Sequence, residues 1–211
     1  MKIVAIATPS FDGKVTVEYA SSLADTISYA KNLGIEVHNF FYSKEAIVQS
    51  ARNKLLAMID KNIYDCVVFI DSDISWKPED LFKLVESKKD VVGGTYRKKQ
   101  NEEDYVFNQI IESVDPYTFE VKSLGFGFIK ISKKAIHNLM AISENYIDNG
   151  ILCKNIFEVI VKDGQMYSED VTVCNKLRDL GFKIYLDKKV KLIHTGTINF
   201  VGNFDEWSKS I

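Results

Sequence analysis

Cysteine is scarce in this chain. Only Cys66, Cys153 and Cys174 occur in 211 residues, an odd number without C-x-x-C spacing. Cys66 and Cys174 fall in apolar patterns, where a free thiol behaves as a small hydrophobe, and the set fits a reducing compartment. No N-x-[ST] sequon occurs, and no stretch approaches the roughly 20 apolar residues that a membrane span requires. The apolar run after Met1-Lys2 is too short for a signal sequence. A cytoplasmic location is therefore expected. Charge of one sign is lacking too: 27 basic residues face 29 acidic ones, for a net charge of −2. Without a basic arm or stripe, nucleic-acid binding as the main activity is excluded. The one basic cluster, Arg97-Lys98-Lys99, reads as a solvated turn.

What is present is ordinary globular composition, 46% hydrophobic and 27% charged, in a length that buries a real core. Residues 3–7 form a continuous apolar run stopped by Thr8-Pro9, as in a buried parallel strand. Ala20, Leu23, Ala24 and Ile27 repeat at helical spacing before Gly34. A strand follows over 35–41, then a helix marked by Ile47, Val48, Ala51, Leu55, Met58 and Ile59, then a third strand at 66–70. Pro78 with Glu79 and Asp80 opens a short helix, and Val91-Val92 is a fourth strand closed by Gly93-Gly94. This β-α-β-α-β-α-β order predicts a mostly parallel α/β sheet with helices on both faces.

The second half reads differently. Strands are expected at 105–111, 119–121 and 126–131, partly antiparallel, with helices near 133–140 and 169–180 and strands near Ile184 and Leu192. Residues 1–211 are expected to be one domain, with a nucleotide-type half (1–100) and a half for a variable partner (101–211). The tail after Gly196, carrying Phe200, Phe204 and Trp207, suits a lid, a linker into a further domain, or a packed terminal segment.

Ligands of open α/β sheets bind at the carboxyl ends of the strands. There lie Thr8-Pro9-Ser10, Phe41-Tyr42-Ser43, Asp71-Ser72-Asp73 and Gly93-Gly94. Asp71 and Asp73 leave the core side by side, and two like charges so close call for a cation between them. Oxygen ligands select Mg²⁺ or Mn²⁺, which in turn can grip a diphosphate. Chance alone gives some D-x-D in a chain this acidic; its place at the end of a central strand lifts this one. Ser168-Glu169-Asp170 opens a helix, where a capping serine and first-turn acids need no other reason. His194 and Arg52 are each, alone, more often structural than functional.

Together the patterns resemble a known family. A-R-N-K-L-L (51–56), V-V-F-I-D-S-D-I-S-W-K-P-E-D-L (67–81), D-V-V-G-G-T-Y (90–96), L-G-F-G-F-I-K-I (124–131), the run from Ser168 to Asp187, and H-T-G (194–196) are similar in order and spacing to the GT-A glycosyltransferases. The likeness covers nearly the whole chain and is strongest to small viral domains of the chlorovirus type, which would place the protein in a host cytoplasm.

That resemblance implies a role for each matching residue. Asp73 would be the direct Mn²⁺ or Mg²⁺ ligand, with Asp71 beside it nearer the ribose or donor sugar, and His194 would complete the metal site. Arg52 would reach the donor's nucleotide or phosphates. Thr8, Pro9 and Ser10 would border the nucleoside, Ser72 the donor, and Tyr42 would be a weaker candidate for stacking. Asp170 would be the base of an inverting transfer, and Glu169 would help hold the acceptor. The implied activity is that of a hexosyltransferase moving one sugar from a UDP-sugar to a glycan or other hydroxyl acceptor. Two features depart from the pattern. Ser168 stands where relatives carry glycine, and the Q-x-x-R-W signature of processive synthases is missing. Two other readings fit the D-x-D: a haloacid-dehalogenase-like phosphatase with Asp71 as nucleophile, and a non-catalytic module that holds a nucleotide sugar. Against the first, the motif is on the third strand rather than the first, and Ser75 takes the place of the usual Thr or Val.

Overall fold

The computed structural model of the chain describes residues 1–196 and 199–210. In chain order the elements are β1 (Lys2–Ser10), α1 (Val17–Leu33), β2 (Ile35–Ser43), α2 (Val48–Met58), β3 (Cys66–Ile70), β4 (Ile74–Ser75), α3 (Pro78–Glu86) and β5 (Val91–Gly93). Then come β6 (Phe107–Asp115), β7 (Thr118–Leu124), β8 (Phe128–Ser132), α4 (Lys133–Ile142), β9 (Asn145–Asp148), β10 (Ile151–Lys154), β11 (Ile160–Lys162) and β12 (Gln165–Tyr167). The last are α5 (Glu169–Asp179), β13 (Ile184–Asp187), β14 (Ile193–Thr195), β15 (Asn199–Val201) and α6 (Phe204–Trp207).

Eight strands form the central sheet in the order β2-β1-β3-β8-β5-β13-β7-β6. β1 pairs parallel with β2 and β3, and β13 parallel with β5, whereas β8 runs antiparallel to both β3 and β5. The antiparallel strand of the second half is thus inserted at the centre of the sheet rather than added at its edge. Gly93 permits this, because a Cβ there would meet the Phe128 carbonyl oxygen at 2.5 Å.

Alternation along the strands sends side chains to two cores. Ala5, Ala7, Val67 and Phe69 pack with Leu55 of α2, Leu139 of α4 and Leu177 of α5. Val4, Ile6, Val68 and Ile70 pack on the other face with Tyr19 of α1 and Leu84 of α3. Full burial of a side chain such as Phe69 stabilises by about 1.5–3 kcal/mol. Local signals set the helix ends. The Thr16 hydroxyl accepts the Tyr19 amide, Gly34 closes α1 with φ 65°, and Pro78 occupies the first turn of α3.

Two differences from the sequence reading have physical causes. β1 extends through Pro9 to Ser10, pairing with β2 throughout, while its pairing with β3 ends at Ala7. A proline is tolerated where one side of the strand is unpaired. The hairpins β9–β10 and β11–β12 escaped the periodicity reading because each strand has four residues or fewer. Their turns, Asn149-Gly150 and Asp163-Gly164, have positive φ at both positions, the signature of a two-residue turn. In the tail, Phe204 is buried against Tyr105, Phe107 and Trp207, so this part packs on the body of the fold. No helix among the described residues is long and apolar enough to cross a membrane.

Candidate active site

The site begins where β3 ends. Asp71-Ser72-Asp73-Ile74 is a turn, with the Ile74 amide donating to the Asp71 carbonyl at 3.1 Å. β4 then pairs antiparallel with β14, setting His194 opposite Ile74, and the Thr195 amide donates to the Asp73 carbonyl at 2.8 Å. This short ladder brings His194 to Asp73 across 120 residues of chain. Its Nε2 lies 3.5 Å from Asp73 Oδ2. Its Nδ1–H donates to the Arg97 carbonyl at 2.9 Å, which fixes the ring with Nε2 facing Asp73. Burial pushes the Asp73 carboxyl up, but hydrogen bonds from His194 and Lys99 outweigh it and hold the group below its ordinary range.

The second half of the site is organised by Arg52. Its side chain is 3% exposed and lies between the rings of Phe126 and Phe157, 5.8 and 5.7 Å from their centres. One guanidinium reaches three carboxylates: Asp71 Oδ1 at 3.0 Å, Glu169 Oε1 at 2.9 Å and Asp170 Oδ1 at 2.7 Å. Burial works against the charge on Arg52, yet the three acids raise its pKa further above the ordinary value. Asp170 goes the other way. Desolvation dominates, Arg52 opposes it, and Glu169 and Asp71 add to it, so its carboxyl is pushed up to about 6. The Phe126 amide holds Asp170 Oδ2 at 3.3 Å.

A cleft of about 410 Å³ opens over this group, with Pro9, Ser10, Asp71, Ser72, Asp73 and His194 in its walls. The structure therefore gathers most of the expected residues. Five do not line it: Glu169 and Asp170, which sit on Arg52 at the start of α5, and three others. Thr8 is fully buried and hydrogen-bonds the Tyr19 hydroxyl at 2.6 Å. Arg52 is buried with its guanidinium committed to carboxylates rather than open to the cleft. Tyr42 packs beneath the Lys54 ammonium, 5.1 Å from the ring centre. Glu169 and Asp170 do not behave as ordinary first-turn acids. Ser168 sits at the N-cap position without a side-chain cap bond, and both acids turn inward to Arg52.

The sequence reading missed Tyr96 and Phe11. Tyr96 is buried, stacks edge-on to His194 with ring centres 5.0 Å apart, and has its phenol pushed well up by burial, Asp71 and Asp170. Its place requires Gly127, since a Cβ there would collide with the phenol ring. Phe11 also lines the cleft, yet is 72% exposed. The signal for Tyr96 was the G-F-G of residues 125–127, whose glycines leave room for a ring. For Phe11 there was none.

Whether the residues suit a divalent cation follows from their chemistry. Asp73 Oδ2 and His194 Nε2 converge, with the imidazole fixed through its other nitrogen, and with Nε2 deprotonated this donor pair fits Mn²⁺ or Mg²⁺. Asp71 is drawn towards Arg52 instead. Among the described residues no three His, Cys, Asp or Glu side chains are grouped to hold a metal alone, so a bound cation needs further oxygens from its ligand.

Comparison with solved structures decides the fold. A197 from STIV, a viral protein, superposes with a TM-score of 0.58 at 20% identity over 93% of this chain and 86% of its own. The catalytic domain of Drosophila beta-1,4-galactosyltransferase 7, solved with xylobiose, gives 0.54 at 13% identity, covering 95% of this chain and 71% of its own. GalNAc-T7, solved with UDP, GalNAc and Mn²⁺, gives 0.54 at 9% identity, with 92% of this chain matched to 44% of its length. The chain has the GT-A fold. No family model and no curated protein sequence matches. At these identities the GT-A likeness concerns architecture alone, and activity rests on the site.

Proposed function

We propose that this GT-A chain is a glycosyltransferase that moves one sugar from a UDP-sugar to a hydroxyl of a glycan acceptor, with inversion. The observation that carries this reading is the position of Asp170. A carboxylate with a pKa raised to about 6, half-buried and tied through Arg52 to Asp71 in the cleft wall, is matched to taking a proton from a hydroxyl near neutral pH. Its Oδ1 is held by Arg52 and its Oδ2 by a backbone amide, so orientation is fixed before any acceptor arrives. A base so placed contributes roughly 10²–10⁴ in rate.

The other residues divide the remaining work. Asp73 and His194 would hold Mn²⁺ or Mg²⁺, which when bound neutralises the diphosphate leaving group. Asp71, tied through Oδ1 to Arg52, presents its other oxygen to the donor's ribose or sugar. Pro9, Ser10 and Ser72 border the nucleoside, and Phe11 offers it an exposed ring. Glu169 helps hold the acceptor. Arg52 acts from beneath, orienting three carboxylates rather than touching phosphate. The neighbours solved with UDP, Mn²⁺ or xylobiose are consistent with this chemistry. In this reading residues 1–100 serve the donor and 101–211 the acceptor, within the cytoplasm. The phosphatase reading has no observation in its favour, because Arg52 neutralises Asp71 and blunts it as a nucleophile.

A calorimetric screen of nucleotide sugars, with Mn²⁺ and with chelator, tests the proposal. Metal-dependent binding of one UDP-sugar that is lost in Asp73→Asn supports it. A wild-type chain that ignores uridine nucleotides under both conditions rules it out.

A further inference from the structure

The basic cluster that reads as a solvated turn does not behave as one. Lys99 crosses Gly196, where a Cβ would lie 3.3 and 3.5 Å from its Cδ and Cε, and its ammonium reaches Asp73 Oδ2 at 2.5 Å. That is the same oxygen that faces His194 Nε2. An ammonium therefore occupies the approach a divalent cation would use to that atom. The reach is set by a braced loop. Arg97 forms a bridge with Tyr105, Lys98 pairs with Asp104 at 2.6 Å, and the Gln100 amide donates to the Lys98 carbonyl at 2.9 Å. Within three residues this loop supplies both the Arg97 carbonyl that fixes His194 and the Lys99 ammonium on Asp73.

Charge explains why a cation belongs there. Asp71, Asp73, Glu169 and Asp170 are set against the fixed cations Arg52 and Lys99, with His194 beside Asp73, so the four acids outnumber those cations by two, the charge one divalent ion supplies. A metal that takes Asp73 Oδ2 must first break the Lys99 pair. The freed ammonium stays on the rim of the cleft, since its stem remains packed over Gly196. A diphosphate accompanying the metal would offer it an anion there.

We propose that Lys99 is a movable cation of this site: it pairs with Asp73 until a divalent metal displaces it, and then pairs with the donor's diphosphate as a positioning residue. This rests on the glycosyltransferase reading above. It makes two linked claims. Lys99 and metal compete for the empty site, while Lys99 and metal cooperate once nucleotide is present.

Both claims are read without turnover. Mn²⁺ is titrated into wild type, Lys99→Met and Lys99→Arg, with binding followed by loss of the free-ion electron paramagnetic resonance signal; UDP is then titrated calorimetrically at saturating Mn²⁺. Lys99→Met should bind Mn²⁺ about three- to tenfold tighter without nucleotide, the scale of a partly exposed charge-assisted pair. The same variant should bind UDP about three- to tenfold more weakly with Mn²⁺ present, and Lys99→Arg should keep near wild-type UDP affinity. Unchanged or weaker Mn²⁺ binding by Lys99→Met overturns the proposal, and so does unchanged UDP binding. The glycosyltransferase reading fails separately, if Asp73→Asn binds Mn²⁺ as wild type does or if neither wild type nor Lys99→Met binds Mn²⁺ or UDP.

Discussion

Arg52 Nη1 lies 2.7 Å from Asp170 Oδ1, although the two residues are 118 positions apart in the chain. This contact joins α2 to the first turn of α5. Through it, one buried cation controls the charge on both.

Arg52→Met should therefore harm stability and activity together. It leaves Asp71, Glu169 and Asp170 close to one another without their shared counter-ion, and removing one member of such a network costs about 3–5 kcal/mol. Urea unfolding at pH 7.5 should show a loss of this size, with partial recovery near pH 5 as the orphaned carboxylates protonate. Equal stability of variant and wild type at pH 7.5 would mean the network is not what holds the acids.

The raised pKa of Asp170 has two consequences of opposite sign. For catalysis, the base is lost as it protonates, so kcat/KM should fall about tenfold per pH unit below pH 6. For folding, a carboxyl whose folded pKa exceeds its unfolded value binds protons more tightly when folded. Its contribution is therefore full below pH 4 and lost as pH rises through 6, a penalty on the order of 2–3 kcal/mol at neutral pH. A pH–rate profile and unfolding curves at pH 4.5 and 7.5, each set against Asp170→Asn, check both. An activity limb centred near pH 4 would contradict the assignment.

Gly127→Ala should disable the site at a distance. The added methyl meets the ring of Tyr96, whose edge-on contact positions His194. Overpacking of this kind costs about 1–3 kcal/mol. Displacing a partner of a metal-binding histidine lowers affinity about 10- to 100-fold. Thermal unfolding and Mn²⁺ titration measure the two effects, and wild-type Mn²⁺ affinity in the folded variant would remove Tyr96 from the account.

How much of this was legible follows from where each signal lies. The strand that delivers Asp71 and Asp73 announces itself through five consecutive apolar residues at 66–70, and the helix opened by Ser168 through its acids and spacing. Periodicity could not show that β8 divides β3 from β5, because pairing partners are set by tertiary contact. Nor could it show where charged groups point. Arg52, Asn53 and Lys54 are consecutive and look like a solvated helix face, yet all three are buried, each with partners distant in sequence. Resemblance supplied the importance of Arg52, and the structure supplied its partners.

Lys54 tests the third of these. It is fully buried, with Glu45 at 2.7 Å and Asp148 at 2.9 Å, and Ser50 hydrogen-bonds both acids. The pair with Asp148 pins the β9–β10 hairpin to α2. Lys54→Met should accelerate amide exchange in that hairpin by roughly tenfold or more while leaving β1 and β3 protected. Unchanged exchange would show that Asn53 and the apolar contacts suffice to hold it.

The most direct test of the central claim is Asp170→Asn, assayed in parallel for donor binding and for sugar transfer. The account predicts UDP-sugar affinity within about threefold of wild type and transfer reduced roughly 10²–10⁴-fold. Near-normal turnover in this variant would contradict it and place the base elsewhere.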